Sequence, residues 1–517
     1  MRRTDERGPA QRGTARRRAW VGGLLFGVLA ATGAGAAASG GSEGPAAQEH
    51  ARLHGTIGLR PLPARVAAYS SAGMVGTPRA VCGPGDRPET SWMGRVPLVD
   101  YVDGRALAGY TCNARDIAHE GQTGGYATWR YVDRAGHVCA FYDGTLTFPV
   151  NEASGKPSGV VVLDMSNPAR PRRTALLSTP AMRTPHESLR LNARRGLLVA
   201  VAGGSTTQVG EVDVYDVSHD CRNPTLDALS PMGVLGHEGA FSPDGRTYWA
   251  TATATGGLSA IDLTDPTKPV LLMHSATIAA HGLSVSDDGN RLYLADVRDY
   301  GEEITEGGGG LRVLDASAIQ SRTALTTDLP QVGYLSWPEV TIPQSTIPVT
   351  IRRHRYLIEF DEFDSNVMAY SPDENVGGVR LIDIQDDRHP RVVSRMRLSV
   401  WERDYRATDQ RGDPGAAKGT QGYAAHYCAV PQRAEPGIVA CSTIASGLRV
   451  FDIRNPLRPR EVAYAVHPGV DLASPSSSTG AYAMSAAAFD VRRRQVWYTD
   501  GATGFWVEQL TAAGWPT

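Results

Sequence analysis

The chain has 517 residues, of which 41% are apolar and 21% charged, which excludes a wholly disordered protein and a collagen-like one. A net charge of −2 argues against a nucleic-acid binder that works through bulk positive charge. The 57 glycines and 33 prolines point to a chain rich in turns.

Residues 1–38 read as a signal peptide. Seven arginines precede Ala19, and Trp20 to Ala38 is an uncharged run rich in glycine and alanine, too short and too weakly apolar to be expected to span a bilayer. Ala34-Gly35-Ala36 and Ala36-Ala37-Ala38 both fit a cleavage site, and Arg17-Arg18 resembles a twin-arginine signal. The expected location is therefore secreted or at the cell surface, with no stable membrane span in the mature chain. Six cysteines follow, none in a Cys-x-x-Cys pair, an even count that suits disulfides in an exported protein. YCAV and IVACS fold as a hairpin around Gln432–Gly437, which sets Cys428 opposite Cys441. The pairing of Cys82, Cys112, Cys139 and Cys221 stays open.

Residues 39–125 form an N-terminal segment with no clear repeat. From Tyr126 two patterns alternate. One is a hairpin signal, strand–turn–strand: YATWRYVDRAGHVCAFYD from Tyr126, HESLRLNARRGLLVAVAG from His186, HEGAFSPDGRTYWATA from His237 and HGLSVSDDGNRLYLAD from His281. VTIRRHRYLIEFDEF from Val349, HYCAVPQRAEPGIVACS from His426 and MSAAAFDVRRRQVWYTD from Met484 continue it. The other is an apolar run closed by Asp and a turn. It recurs at Asp164, Asp216, Asp262, Asp315, Asp383 and Asp452, at intervals of 52, 46, 53, 68 and 69 residues.

Together they give four antiparallel strands per unit, the make-up of a propeller blade, which must stack on its neighbours to bury both faces. The expected fold is all-β: a seven-bladed β-propeller over 126–510, with 511–517 as a tail. Blade seven runs out of chain, so a strand from the N-terminal segment, with 53–69 and 95–112 as candidates, is expected to close the ring. Insertions are expected at 300–310, 326–348 and 400–422. LRVFDIRNPLRP, VRLIDIQDDRHP and VVVLDMSNPARP resemble the LVIVD-repeat family of secreted and surface β-propellers. That resemblance implies the fold and names no active-site residue.

The chemistry-bearing candidates are four histidines. His186, His237, His281 and His426 each stand at a blade start, so the ring brings them to one end of the channel, where neutral imidazoles suit a single Zn, Cu, Fe or Ni ion. Glu187 and Glu238 follow two of them and are expected to orient imidazoles. In the alternative role, each histidine bonds the neighbouring blade's backbone. Asp296, Asp361 and Asp500 end second strands and suit caps for strand-end amides. Asp361, Glu362 and Asp364 open an acidic stretch whose hard oxygens suit Ca²⁺. No serine-nucleophile motif occurs. Two functions follow: an exported binding platform for a protein, glycan or small molecule, or a redox or hydrolytic metalloenzyme with its centre in the channel.

Overall fold

The computed structural model describes residues 76–144, 158–202, 210–232, 236–252, 257–297, 310–323, 327, 329–337, 342–362, 378–406, 408–416, 422–470 and 479–516. The signal-peptide region, the 53–69 segment and Asp364 lie outside them.

Seven antiparallel sheets follow one another. Blade one is Thr128–Val132, Val138–Asp143, Val160–Asp164 and Arg172–Leu177. Blade two is Arg190–Asn192, Leu197–Val201, Glu211–Asp216 and Thr225–Pro231, and blade three is Gly239–Phe241, Thr247–Thr251, Leu258–Asp262 and Val270–Ser275. Blade four is Leu283–Val285, Arg291–Asp296, Gly310–Asp315 and Gln331–Ser336. Blade five is Ile342–Ile351, His354–Glu362, Val379–Asp383 and Arg391–Met396. Blade six is Cys428–Ala429, Ile438–Ser442, Leu448–Asp452 and Arg460–Val466. Blade seven takes Ala488–Asp490, Gln495–Asp500 and Gly504–Leu510 from the C-terminus, and its outer strand is Ala114–Glu120.

The seven-bladed propeller is thus present and closed by an N-terminal strand. That strand lies just beyond the 95–112 segment. The end of 95–112 does something else: Tyr110–Cys112 pairs with Arg460–Val466 and adds a fifth strand to blade six. Ala114–Glu120 takes the place of an ordinary outer strand in one further respect. In all seven blades the ladder between third and outer strand carries a register shift, and in blade seven it falls between Asp116 and Ala118. Such bulges add local twist to the blade edge.

The aspartates of the repeat make the turns expected of them. Asp164, Asp216, Asp262, Asp315, Asp383 and Asp452 each accept the backbone N–H two residues on, at 2.6 to 3.1 Å. Each repeat therefore ends its third strand with a side-chain bond that replaces a ladder bond.

The core lies between blades. Tyr215, Val217 and Cys221 of blade two pack with Phe141 and Val162 of blade one. The same holds around the circle to the last seam, where Trp497, Phe505 and Val507 of blade seven meet Ala140, Tyr142 and Leu163 of blade one. At roughly 1.5–3 kcal/mol for each large apolar side chain buried, this seam gives the ends of the repeat array a strong reason to meet.

One expected insertion resolves differently. Much of 326–348 is strand: Gln331–Ser336 is the outer strand of blade four and Ile342–Ile351 the inner strand of blade five. The inner strand starts seven residues before the expected Val349, because its apolar residues run back to Ile342, with a bulge at Gln344.

Residues 76–110 pack against blades five and six. Arg449, fully buried, bonds Glu89 of this segment and Glu461 of blade six. Arg95 makes a two-pronged bond to Asp413 at 2.7 and 2.9 Å. Three disulfides are present: Cys82–Cys112, Cys139–Cys221 and Cys428–Cys441. The last joins the directly opposed residues of the blade-six hairpin. Three disulfides suit an oxidising, extracellular environment. Among the described residues, no helix is long and apolar enough to cross a membrane.

Candidate functional site

The first strands of the blades line the axis. Parallel bridges between adjacent first-strand segments, Ala127 with Ala486 and Glu187 with Glu238, show how close they come. Residues just before these strands therefore meet at one end of the channel.

All four histidines are there. The rings of His186 and His237 lie 4.3 Å apart and those of His237 and His281 4.4 Å apart. His237 Nε2 is 3.0 Å from His281 Nε2. Glu187 sits among them, with Oε2 3.3 Å from His237 Nε2 and Oε1 3.2 Å from His426 Nε2. Glu362 joins from blade five: Oε1 is 2.7 Å from His281 Nε2 and Oε2 3.4 Å from His426 Nε2. His281, His426, Glu187 and Glu362 are all buried.

Two of the imidazoles are fixed through their other nitrogen. His281 Nδ1 donates to the Gln344 carbonyl at 3.1 Å, and His426 Nδ1 donates to the Met484 carbonyl at 2.7 Å. Gln344 belongs to the blade after His281, and Met484 to the segment leading into the blade after His426. The backbone role and the ligand role considered for these histidines thus use different nitrogens. Nδ1 locks the ring to the next blade and leaves Nε2 facing the axis.

The electrostatics follow from the crowding. Burial alone would depress His281, yet the carboxylates of Glu362 and Glu187 outweigh it and hold the imidazole up to about 9. His426 is likewise pushed up to about 9, burial being overcome by bonds to Glu187 and Glu362. His186 goes the other way. Burial and the positive charge available to His237 hold it down to about 3, so it is neutral at pH 7. Its Nδ1 is buried without a hydrogen-bond partner among the described residues, and its ring stacks on Tyr126 at 4.5 Å between centroids. Two donor triads emerge, His186–Glu187–His237 and Glu187–His281–Glu362, sharing Glu187.

Glu238 is placed differently from Glu187. It lies beneath the cluster and bonds Arg190, Ser345 and Tyr427 at 2.9, 2.7 and 2.9 Å. The backbone N–H of Leu283 adds a longer bond. Groups from blades two to six thus meet on one carboxylate. Gly282 lies so close that a Cβ would collide with the Glu238 carboxylate and the Gln344 carbonyl.

Asp361 and Glu362 are parted rather than gathered. They are adjacent on a strand and point to opposite faces, Asp361 to Arg380 at 2.7 Å and Glu362 to the histidines. Asp296 pairs with Arg312 at 2.7 Å. Asp500 does cap amides, accepting from Tyr482, Ala502 and Thr503. Two members of the channel cluster were not expected from the sequence as neighbours of the histidines, Glu362 and Tyr126. The period-two alternation of YLIEFDE was the available signal for Glu362, since it sets that residue on the face of Ile358 and Phe360.

Together these features define a seven-bladed β-propeller with a buried cluster of imidazoles and carboxylates at one end of its channel. No family model and no curated protein matches the chain. Among solved structures it is similar to Kuenenia stuttgartiensis hydrazine synthase, at 12% identity and TM-score 0.45 over 75% of this chain and 96% of that one. It is also similar to the Myceliophteria thermophila Cps50 (Swd1) β-propeller domain, at 11% identity and TM-score 0.46 over 77% and 100%. The Pseudomonas aeruginosa periplasmic gluconolactonase PpgL gives 14% and 0.43 over 75% and 96%. Likenesses this distant carry no activity across.

Proposed function

We propose that this exported propeller is a metal-dependent enzyme whose centre is a transition-metal ion in the channel, held by imidazoles of His237, His281, His426 and His186 with Glu187 and Glu362. The observation that carries the reading is the anchoring of His281 and His426 through Nδ1 to backbone carbonyls. Metal-ligating histidines nearly always bond a carbonyl or carboxylate through the nitrogen that does not face the metal. The spacing supports it as well. Bonds of about 2.0–2.1 Å place neighbouring donors of a tetrahedral site about 3.3 Å apart, and separations of 3.0, 3.2, 3.3 and 3.4 Å recur here beside one closer pair, His281 Nε2 to Glu362 Oε1 at 2.7 Å.

An all-nitrogen-and-oxygen donor set suits Zn, Fe, Cu or Ni and not a soft thiophilic ion. Such an ion supplies Lewis acidity or one-electron chemistry when bound. The protein's own groups hold it, bury it and, through Glu238 and its partners, close the channel beneath it. A ligand-binding platform needs no such buried set of ionisable groups on its axis.

The test is metal content. Full-length protein stripped with chelator and reloaded is measured by elemental analysis beside the His237→Ala/His281→Ala variant. The expected result is the loss of about one equivalent of metal in a variant that keeps its far-UV spectrum. A wild type that takes up no metal, or a folded variant that keeps its full complement, overturns the metal reading and leaves the binding platform.

A further inference from the structure

A second cluster lies away from the channel, where the N-terminal chain crosses from blade six to blade seven. Asp116 is on the ring-closing strand, directly opposite Glu508 on the last strand of the chain. Like charges opposed across a ladder repel unless a cation stands between them. His467, just beyond the end of Arg460–Val466, reaches both: Nε2 is 3.0 Å from Glu508 Oε1 and 3.5 Å from Asp116 Oδ1. Its ring is clamped flat on Trp506, 3.6 Å between centroids and 6° between planes. Arg87 takes the other oxygen of Asp116, at 2.7 Å, and leaves Oδ1 turned to the imidazole.

Glu508 carries the independent observation. It is fully buried, the Asp116 carboxylate faces it, and among the described residues no N–H or O–H donor reaches its Oε2. A buried carboxylate oxygen without a partner is costly, and it lies in the cluster where donor atoms from all three residues come within 4.8 Å of one another.

We infer that Asp116, His467 and Glu508 form a second divalent-metal site, of the zinc class, that fastens the ring closure. The three residues come from the closing strand, the end of blade six and the final strand, so one ion bound to all three would join the elements that must meet to close the ring. One nitrogen and two carboxylate ligands with solvent in the fourth position are within the repertoire of zinc. The donor separations of 3.0 and 3.5 Å bracket the tetrahedral edge of about 3.3 Å used above. The role differs from the channel centre: it is structural and independent of any reaction.

The experiment uses Zn²⁺ alone on chelator-stripped, full-length protein in which the channel is disabled by His237→Ala/His281→Ala. The expected result is uptake of about one equivalent, with a rise in Tm, both abolished when His467→Gln or Asp116→Asn is added. Asp116 is partly exposed, so its variant keeps the test valid if His467→Gln fails to fold. Absence of Zn²⁺ uptake in the channel variant, or uptake and Tm rise unchanged by Asp116→Asn, overturns the inference and leaves an ion-pair network only. Conversely, wild-type protein that binds one Zn²⁺, lost with His467→Gln and kept in the channel variant, would retain this site and remove the channel centre.

Discussion

Tyr427, at the start of blade six, donates its phenolic hydrogen across the channel to Glu238, at the start of blade three, at 2.9 Å. The two residues are 189 apart in sequence, and the bond exists only when the ring is closed. Arg190, Ser345 and Leu283 N–H converge on the same carboxylate, so Glu238 of blade three gathers groups from four other blades. Removing it takes the carboxylate from the half-buried Arg190 guanidinium, Ser345, Tyr427 and the Leu283 N–H together; removing the phenol leaves one acceptor short. Glu238→Ala is expected to cost about 3–5 kcal/mol and Tyr427→Phe about 1–3 kcal/mol. Urea unfolding of each variant checks this, and equal, negligible losses would show that the carboxylate does not tie the blades.

Arg449 makes the corresponding prediction for the N-terminal segment. It is fully buried between Glu89 and Glu461, and its guanidinium carbon sits 4.7 Å from the Tyr464 ring centre. Arg449→Met keeps the volume, leaves the buried Glu461 carboxylate without its cation and leaves Glu89 with Arg79 alone, at 2.9 Å. The expected loss is about 3–5 kcal/mol, accompanied by faster proteolysis within residues 76–110 under native conditions. Should the variant lose stability but resist protease as the wild type does, the segment is held by its disulfide and apolar contacts instead.

The architecture was legible because its signals are local. An apolar run ending in Asp, and a hairpin turn, each need only a few residues to be recognised, and seven repetitions then imply a ring. Convergence of the four histidines was legible for the same reason, since equivalent positions in a ring must meet. What escaped depends on partners distant in sequence. Glu362 read as part of an acidic loop because its alternation with Asp361 matters only once the strand is known to continue to that point. Ala114–Glu120 carries four charged or imidazole side chains in seven residues, and its pattern announces no strand. It becomes one because Gly504–Leu510 offers an open edge. The register of blade five shifted for a related reason, a bulge at Gln344 that no sequence pattern announces.

The disulfides are expected to differ in weight. Cys139–Cys221 joins blade one to the turn after the third strand of blade two and spans 82 residues, whereas Cys428–Cys441 spans 13 within one hairpin. In the chain-entropy view the longer loop restricts the unfolded state more, about 4–5 against about 3 kcal/mol. Paired Cys→Ser variants measured by denaturant unfolding should rank in that order. The reverse order would mean that the native structure around Cys139, and not the unfolded chain, sets the contribution.

Asp500 provides a pH signature of its own, although His467 of the second site lies close enough to favour its ionised form. It is fully buried, and burial raises its carboxyl from the usual range to about 6, although the N–H groups of Tyr482, Ala502 and Thr503 pull the other way. The unfolded chain releases this proton near pH 4, so between about pH 4 and 6 the folded state binds more proton than the unfolded one. Stability contributed by the group is therefore full below pH 4, falls as pH rises to about 6, and is level above that. A shift of about two units corresponds to about 3 kcal/mol. Asp500→Asn removes the titration while keeping an acceptor for Ala502 and Thr503. The difference in unfolding free energy, wild type minus variant, should decline by about 3 kcal/mol between pH 4 and 6. A difference that stays constant over that interval would mean that Asp500 is ionised in the fold and that its three amide bonds outweigh the cost of burying it.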